Sequence, residues 1–183
     1  MPHSLPLTRF LDSQYAQGLE LAAASDLLEL VPIGPAPVQR YIARLGCRGL
    51  VRTDRGEIEE SVGCVVGIHF PEDYLRRVQP LEIVRWIAPE NVFHPNCALA
   101  PNGVPVVCVG KIPPGTPLVA LIEAAAEIFS WQKVLPAESD ALDAEACQWA
   151  RRHPERLPVD DRPLRRPSAS ATEIVFAVEE VRR

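Results

Sequence analysis

The spacing of hydrophobic residues changes along the chain, and the change separates a predicted helix from predicted strands. Between Thr8 and about Ala24 the apolar side chains recur at helical spacing, at Leu11, Tyr15, Leu19 and Ala22. Thr8 has a side chain that can cap a helix. The pattern therefore predicts an N-terminal helix that begins at Thr8.

Four segments with the alternation or the β-branched content of strands follow this helix. They are residues 27–31, 38–47, 62–70 and 82–87. Pro32 is expected to end the first strand. The second strand places Arg40 and Arg44 on one face and an apolar row on the other: Tyr41, Ala43, Leu45 and Cys47. Short connections, including a turn over residues 53–56, predict an antiparallel meander.

Beyond the strands, a long irregular segment leads to two further helices. Residues 88–116 are rich in Pro, Gly and Asn and show no period, and a loop of this length is often functional. Thr116 as N-cap and Pro117 as first helical residue predict a helix with an apolar stripe of Leu118, Leu121, Ile122, Ala125, Ile128 and Phe129. Another helix is predicted from the N-cap Asp143 to just before Pro154. Helix, four strands, long loop and helices make an α+β class.

The length of 183 residues suits one domain, which we assign to residues 1–160 with a C-terminal extension over 161–183. Residues 162–171 have the composition of a linker. Residues 173–181 fit a strand or a helix equally well.

Composition narrows the functional classes. The net charge of −5 argues against general nucleic-acid binding. No apolar run approaches the length that spans a membrane, and the N-terminus does not resemble a signal peptide, so a cytoplasmic protein is expected. The five cysteines are odd in number and form no CxxC pair, which predicts neither disulfides nor a zinc module but leaves room for a reactive thiol.

Two motifs carry candidate chemistry. Residues 68–74 read Ile-His-Phe-Pro-Glu-Asp-Tyr. The tripeptide of His94, Pro95 and Asn96 comes shortly before Cys108 in the sequence. Taken alone, a cysteine among valines is more often a buried core residue. In this order, however, the motifs and the predicted elements resemble those of ubiquitin-conjugating enzymes, over most of the chain from Thr8.

The resemblance implies a ubiquitin-conjugating (UBC-like) fold and a transferase activity with no cofactor. Cys108 would carry a ubiquitin-like modifier as a thioester, received from an activating enzyme and passed to a target lysine. Asn96 would stabilise the oxyanion or order the active-site loop; the simple alternative is a turn residue. The resemblance assigns His94 to bracing the loop through backbone hydrogen bonds, in preference to a general base. Pro95 is expected to fix the turn.

Asp140 is the third candidate. The family often places an acid before its last helices, where it can orient the incoming lysine and ease its deprotonation. Glu138 to Leu142 correspond to that segment, and Asp140 follows Cys108 by an interval close to that of the family. A solvated acid at a helix start explains Asp140 equally well.

Departures from the family pattern favour a particular branch of it. Asn96 and Cys108 are 12 residues apart, several more than in the family. Two family segments have other sequences here: the one that contacts ligases and the Trp-Ser-Pro segment that follows the family's cysteine. Basic residues are also few in the first helix. These features resemble the divergent bacterial ubiquitin-like conjugation systems associated with antiviral defence.

Three alternatives remain. A catalytically inactive UBC or RWD-like interaction module has the same fold but usually lacks the cysteine. A different thiol enzyme, such as a cysteine hydrolase, needs a histidine base for which no local signature exists. A metal site built from His69, His94, Cys97 and Cys108 matches no compact zinc spacing.

Overall fold

The computed structural model describes residues 4–134 and 141–167, and its architecture is α+β, as predicted. The helices are α1 Leu5–Ala23, α2 Pro80–Ile83, α3 Leu118–Phe129 and α4 Ala144–Arg152, followed by a 3₁₀ turn at Pro154–Arg156. The strands are β1 Leu28–Ile33, β2 Arg40–Arg52, β3 Ile58–His69, β4 Val84–Ala88, β5 Cys97–Leu99 and β6 Pro105–Val107.

Strands β1 to β4 form an antiparallel sheet in sequence order, which confirms the predicted meander. The predicted faces of β2 are also confirmed: the apolar row is buried and Arg40 and Arg44 are exposed. The prediction that Pro32 ends the first strand is wrong. Pro32 pairs with Tyr41 inside β1. It is tolerated because β1 is an edge strand, where a missing N–H breaks no interior ladder.

The predicted N-terminal helix is present, but its first residue and its buried face differ from the prediction. It begins at Leu5 after Ser4, and the hydroxyl of Thr8 donates to the Ser4 carbonyl oxygen at 3.3 Å instead of capping the helix. Tyr15 and Leu19 are exposed. The buried face consists of Leu7, Leu11, Gln14, Gly18 and Leu21.

Gly18 explains why this face turns inward. A Cβ at residue 18 would lie 2.8 Å from Cδ2 of both Leu118 and Leu30, so any other residue would force these leucine side chains to shift. A count of apolar residues alone favours the other face, because it gives no weight to a glycine or to the buried Gln14.

The two later helices largely follow the prediction. Every residue of the apolar stripe of α3 is buried. Thr116 does not cap α3, since its hydroxyl donates to the Pro113 carbonyl at 2.7 Å; the Leu118 N–H instead donates to Oε1 of the buried Gln14 at 2.8 Å. Asp143 caps α4 as predicted, accepting from the Ala146 N–H at 2.9 Å. In the described parts of the chain no helix is both long and apolar enough to cross a bilayer.

The segment predicted as an irregular loop, residues 88–116, contains regular structure. Strands β5 and β6 pair within it as a hairpin, and β6 packs beside β4. The preceding segment also differs, because the predicted strand over residues 82–87 starts as the short helix α2 and only then becomes β4. Three-residue strands are too short to give a recognisable alternation.

The motif at residues 68–74 is a packing motif at the end of β3. Phe70 and Tyr74 are fully buried, with ring centroids 4.7 Å apart, and Phe10 of α1 contacts both rings. The Tyr74 hydroxyl donates to the Thr116 carbonyl at 2.8 Å. The motif thereby ties α1, the sheet and the approach to α3 together.

The described part of the predicted linker, residues 162–167, lies against the domain. The Arg162 guanidinium donates to both carboxylate oxygens of the buried Asp160, at 2.8 and 2.6 Å, and holds the pKa of that carboxyl well below its usual range. Arg166 donates to the carbonyls of Ala23 and Ala24 at the end of α1. The predictions for residues 168–183 lie outside the described residues.

Candidate active site

The β5–β6 hairpin takes up the additional residues between Asn96 and Cys108. Its strands pair from Cys97 opposite Val107 to Leu99 opposite Pro105. The tip is closed by hydrogen bonds from the Ala100 N–H to the Val104 carbonyl at 2.9 Å and from the Gly103 N–H to the Ala100 carbonyl at 2.8 Å. Gly103 has φ +76°, a conformation that favours glycine. The hairpin therefore brings Asn96 and Cys108, the two ends of the long interval, next to each other.

Asn96 and Cys108 form the last rung of this hairpin, and the rung is unusual. The Cys108 N–H donates to the Asn96 carbonyl at 2.8 Å, as in an ordinary antiparallel pair. The return bond comes from the Asn96 side chain, whose Nδ2 donates to the Cys108 carbonyl at 2.8 Å. The main-chain N–H of Asn96 instead donates to Nδ1 of His94 at 3.0 Å. The side-chain amide has thus replaced a backbone donor beside the candidate nucleophile.

His94 is almost completely buried, with 1% of its surface exposed, and burial lowers its pKa to about 3. The imidazole is therefore neutral at physiological pH. Since Nδ1 accepts the Asn96 N–H, the proton of the neutral ring is on Nε2. This geometry is that of a residue bracing the loop, and it leaves no exposed nitrogen for a general base.

Cys108 differs from the other four cysteines, all of which lie within the described residues. It is half-buried, whereas Cys47, Cys64, Cys97 and Cys147 are buried. Burial raises the pKa of the neighbouring Cys97 thiol, which keeps that thiol protonated and a poor nucleophile. Accessibility thus distinguishes Cys108 as the one cysteine of the five that is not fully buried.

Asp140 lies outside the described residues, so the structure does not place it relative to Cys108. The chain that follows it is attached to the candidate site. The N–H groups of Leu142 and Asp143 donate to the Pro95 carbonyl at 2.8 and 3.2 Å. The start of α4 is consequently fixed to the His94-Pro95-Asn96 turn.

The imagined metal ligands do not form a cluster. No group of three or more His, Cys, Asp or Glu side chains suited to a metal ion occurs within residues 4–134 and 141–167. His69 is exposed and lines a groove on the outer face of the sheet with Arg40 and Arg85, whereas His94 is in the interior.

Trp131 is the residue of this region that the sequence analysis missed. Its ring centroid lies 4.4 Å from that of His94, and its backbone has φ +58°. It directly follows Ser130, the C-cap of α3, at a position where helices commonly have glycine. The available signal was the lack of a glycine or asparagine after α3, which is difficult to interpret without the structure.

No family model matches the sequence, and no curated protein matches it either. The chemical interpretation therefore depends on the arrangement of the residues themselves. The backbone of the half-buried Cys108 is hydrogen-bonded to the side-chain amide of Asn96. The Asn96 N–H in turn donates to the neutral His94, on a turn that also holds the start of α4. Such a site can accept and release an acyl group without a metal.

Proposed function

We propose that this protein is a ubiquitin-conjugating-type transferase that carries a ubiquitin-like protein as a thioester on Cys108. The observation that carries the proposal is the Asn96–Cys108 rung, which holds the one cysteine that is not fully buried on an ordered turn. The motif at residues 68–74 and the order of helix, four-stranded meander and later helices support a UBC-like fold for residues 1–160.

Two acyl transfers make up the proposed reaction. In the first, the Cys108 thiolate attacks the thioester carbonyl that links the modifier to an activating enzyme; a new C–S bond forms and the old one breaks, releasing the thiolate of the activating enzyme. In the second, a target lysine amine attacks the Cys108 thioester and passes its proton to Asp140; a C–N bond forms and the C–S bond breaks, so that Cys108 departs as a thiolate. Neither step needs an oxidant, a reductant or a cofactor.

Each neighbour of Cys108 has a separate task in this proposal. Asn96 keeps the turn in place through the Cys108 carbonyl, and the alternative task for its amide is stabilisation of the oxyanion. The neutral His94 holds Asn96 in place by accepting its main-chain N–H, and it takes no proton from the substrate. Lysine deprotonation is left to Asp140, on a segment whose continuation is bonded to the Pro95 carbonyl.

The partners follow from the chemistry. The acyl donor is a modifier thioester on an activating enzyme, and the acceptor is a lysine of a target protein. The 12-residue interval closed by a hairpin supports a divergent member of the class, of the bacterial ubiquitin-like type. Nucleic acid and membranes have no part in this reaction.

Thioester formation tests the proposal directly. Wild-type protein, Cys108→Ala and the control Cys147→Ala are incubated with ATP, an activating enzyme and its modifier, and are separated on non-reducing gels. Cys147 is a suitable control because it is buried in α4. A reductant-sensitive adduct on the wild type and Cys147→Ala, absent from Cys108→Ala, is expected. If an active partner set gives no adduct, the proposal is refuted, and an interaction module of the same fold becomes the favoured function.

A further inference from the structure

Trp131 adopts a backbone conformation that is costly for its residue type. It is the only residue other than glycine with positive φ in the described chain, at +58°, and a bulky side chain rarely adopts this region. Such conformations persist where the surroundings impose them, and they cluster at functional sites. Trp131 is almost completely enclosed by other residues, since only 3% of it is exposed.

The conformation places the indole against His94. The ring centroids are 4.4 Å apart and the ring planes are inclined by 59°. The indole also belongs to a small buried cluster, separate from the main core, with Leu50, Phe93, Ala146 and Ala150. Trp131 therefore lies between the end of α3, the start of α4 and the turn that carries the candidate site.

His94 has a polar atom that needs a partner. Its Nε2 is buried and makes no hydrogen bond to any atom of the described residues. This nitrogen carries the ring proton, because Nδ1 accepts from Asn96. A buried donor without an acceptor is costly, but the face of an aromatic ring is a weak acceptor for N–H groups.

We infer that Trp131 is a positioning residue that acts on Cys108 through His94. The indole face receives the Nε2–H of His94, which fixes the tautomer whose Nδ1 accepts the Asn96 N–H. Since that N–H is committed to His94, the side-chain amide of Asn96 completes the rung to Cys108. The role in transfer depends on the proposed function, whereas the effect on the His94 tautomer does not.

One competing explanation makes a different prediction. A cavity of about 10 Å³ adjoins both His94 and Trp131, and Ser61 is part of its lining. A volume of this order is at the lower limit for one water molecule. If a water accepts the Nε2–H, Trp131 contributes packing alone, and the His94 tautomer persists when the indole is replaced by an aliphatic side chain.

The test compares Trp131→Leu and Trp131→Phe with the matched control Trp86→Leu. Trp86 is also buried, at 4% exposure, but it packs in the main core on β4. The unfolding midpoints of all variants are measured first. Nitrogen-15 NMR of histidine-labelled protein, with His94→Gln for assignment, then reports the tautomer of His94 and the protection of its Nε2–H from exchange.

We expect Trp131→Leu to lose the protected Nε2–H signal and to slow single-turnover discharge of the Cys108 thioester by about 10- to 100-fold, as a displaced catalytic turn does. Trp131→Phe, which keeps an aromatic face, restores both. Trp86→Leu lowers the unfolding midpoint but leaves the His94 signal and the discharge rate unchanged. Equal effects of Trp131→Leu and Trp86→Leu on discharge, or an unaltered His94 signal in Trp131→Leu, overturn the inference.

The two proposals fail in distinguishable ways. If the wild type forms no thioester, the proposed function fails, while the His94 signal in Trp131→Leu still decides whether the indole holds the imidazole. If the wild type forms the thioester and Trp131→Leu discharges it at the same rate, the function stands and the positioning role is refuted.

Discussion

Replacing Asn96 by alanine removes the side-chain half of the rung beside Cys108 while leaving the main-chain half in place. The lost bond is the one from Nδ2 to the Cys108 carbonyl at 2.8 Å, in a residue with 1% exposure. Loss of a partner for a buried polar group costs ~1–3 kcal/mol. For a chain of this length that loss lowers the unfolding temperature by ~2–12 °C, which leaves a typical domain folded at 25 °C.

The matched control is Asn102→Ala, at the exposed tip of the same hairpin. Its Oδ1 accepts from the Val104 N–H at 3.2 Å. The substitution therefore also removes one hydrogen bond between an asparagine side chain and the backbone, but at a solvent-exposed position. The expected loss is ~0.5 kcal/mol or less. Chemical denaturation of both variants measures the difference.

Two reactions of Cys108 separate the possible tasks of Asn96. Alkylation by iodoacetamide has no carbonyl oxyanion, so its rate depends on the order and exposure of the turn. Thioester transfer to lysine depends on the turn and also on any oxyanion donor, whose loss typically slows a reaction ~10²–10³-fold. Because Nδ2 donates to the Cys108 carbonyl, we expect Asn96→Ala to change both rates: faster alkylation and slower transfer.

An unchanged alkylation rate together with a large loss of transfer would refute this reasoning and assign Asn96 to the oxyanion. If both rates and the stability equal those of Asn102→Ala, the rung is irrelevant to the site, and Asn96 is only a turn residue.

Three further predictions concern the fold around the site. Burial lowers the pKa of His94 from 6.5 to about 3, so the unfolded chain binds the proton first as the pH falls. The free energy of unfolding that is attributable to His94 is therefore fully present above pH 6.5 and falls by ~2 kcal/mol by pH 5. Urea titrations at several pH values should show this pH dependence reduced in His94→Gln. Gly18→Ala gains helix propensity but forces its Cβ against Leu118 and Leu30, so calorimetry should show a net loss of ~1 kcal/mol, and a stabilised variant contradicts the packing described. Asp143→Ala removes the cap of α4 and should cost ~1 kcal/mol, recovered largely by Asp143→Ser.

Much of the fold was predictable because its main elements have strong periodic patterns. The stripe of α3 and the two faces of β2 follow directly from burial of alternating or helically spaced side chains. The cap at Asp143 was predictable because its chemistry is local. Where tertiary contacts decide, the predictions were wrong: Gln14 caps α3 from another helix, which no local pattern of Thr116 reveals.

The candidate site was predictable in its residues but not in its geometry. The motif identified His94, Asn96 and Cys108, and the interval of 12 residues between the last two gave no indication that a hairpin closes it. Three-residue strands have too few positions for a period. The contact between Trp131 and His94 joins residues distant in sequence, so it depends on the tertiary structure alone.

The most direct test of the central claim is the mass of the protein after incubation with an activating enzyme, ATP and a ubiquitin-like modifier. The account predicts an adduct of one modifier, joined to the peptide that contains Cys108, sensitive to thiols and absent from Cys108→Ala. An adduct on another residue, or one that persists in Cys108→Ala, would contradict it.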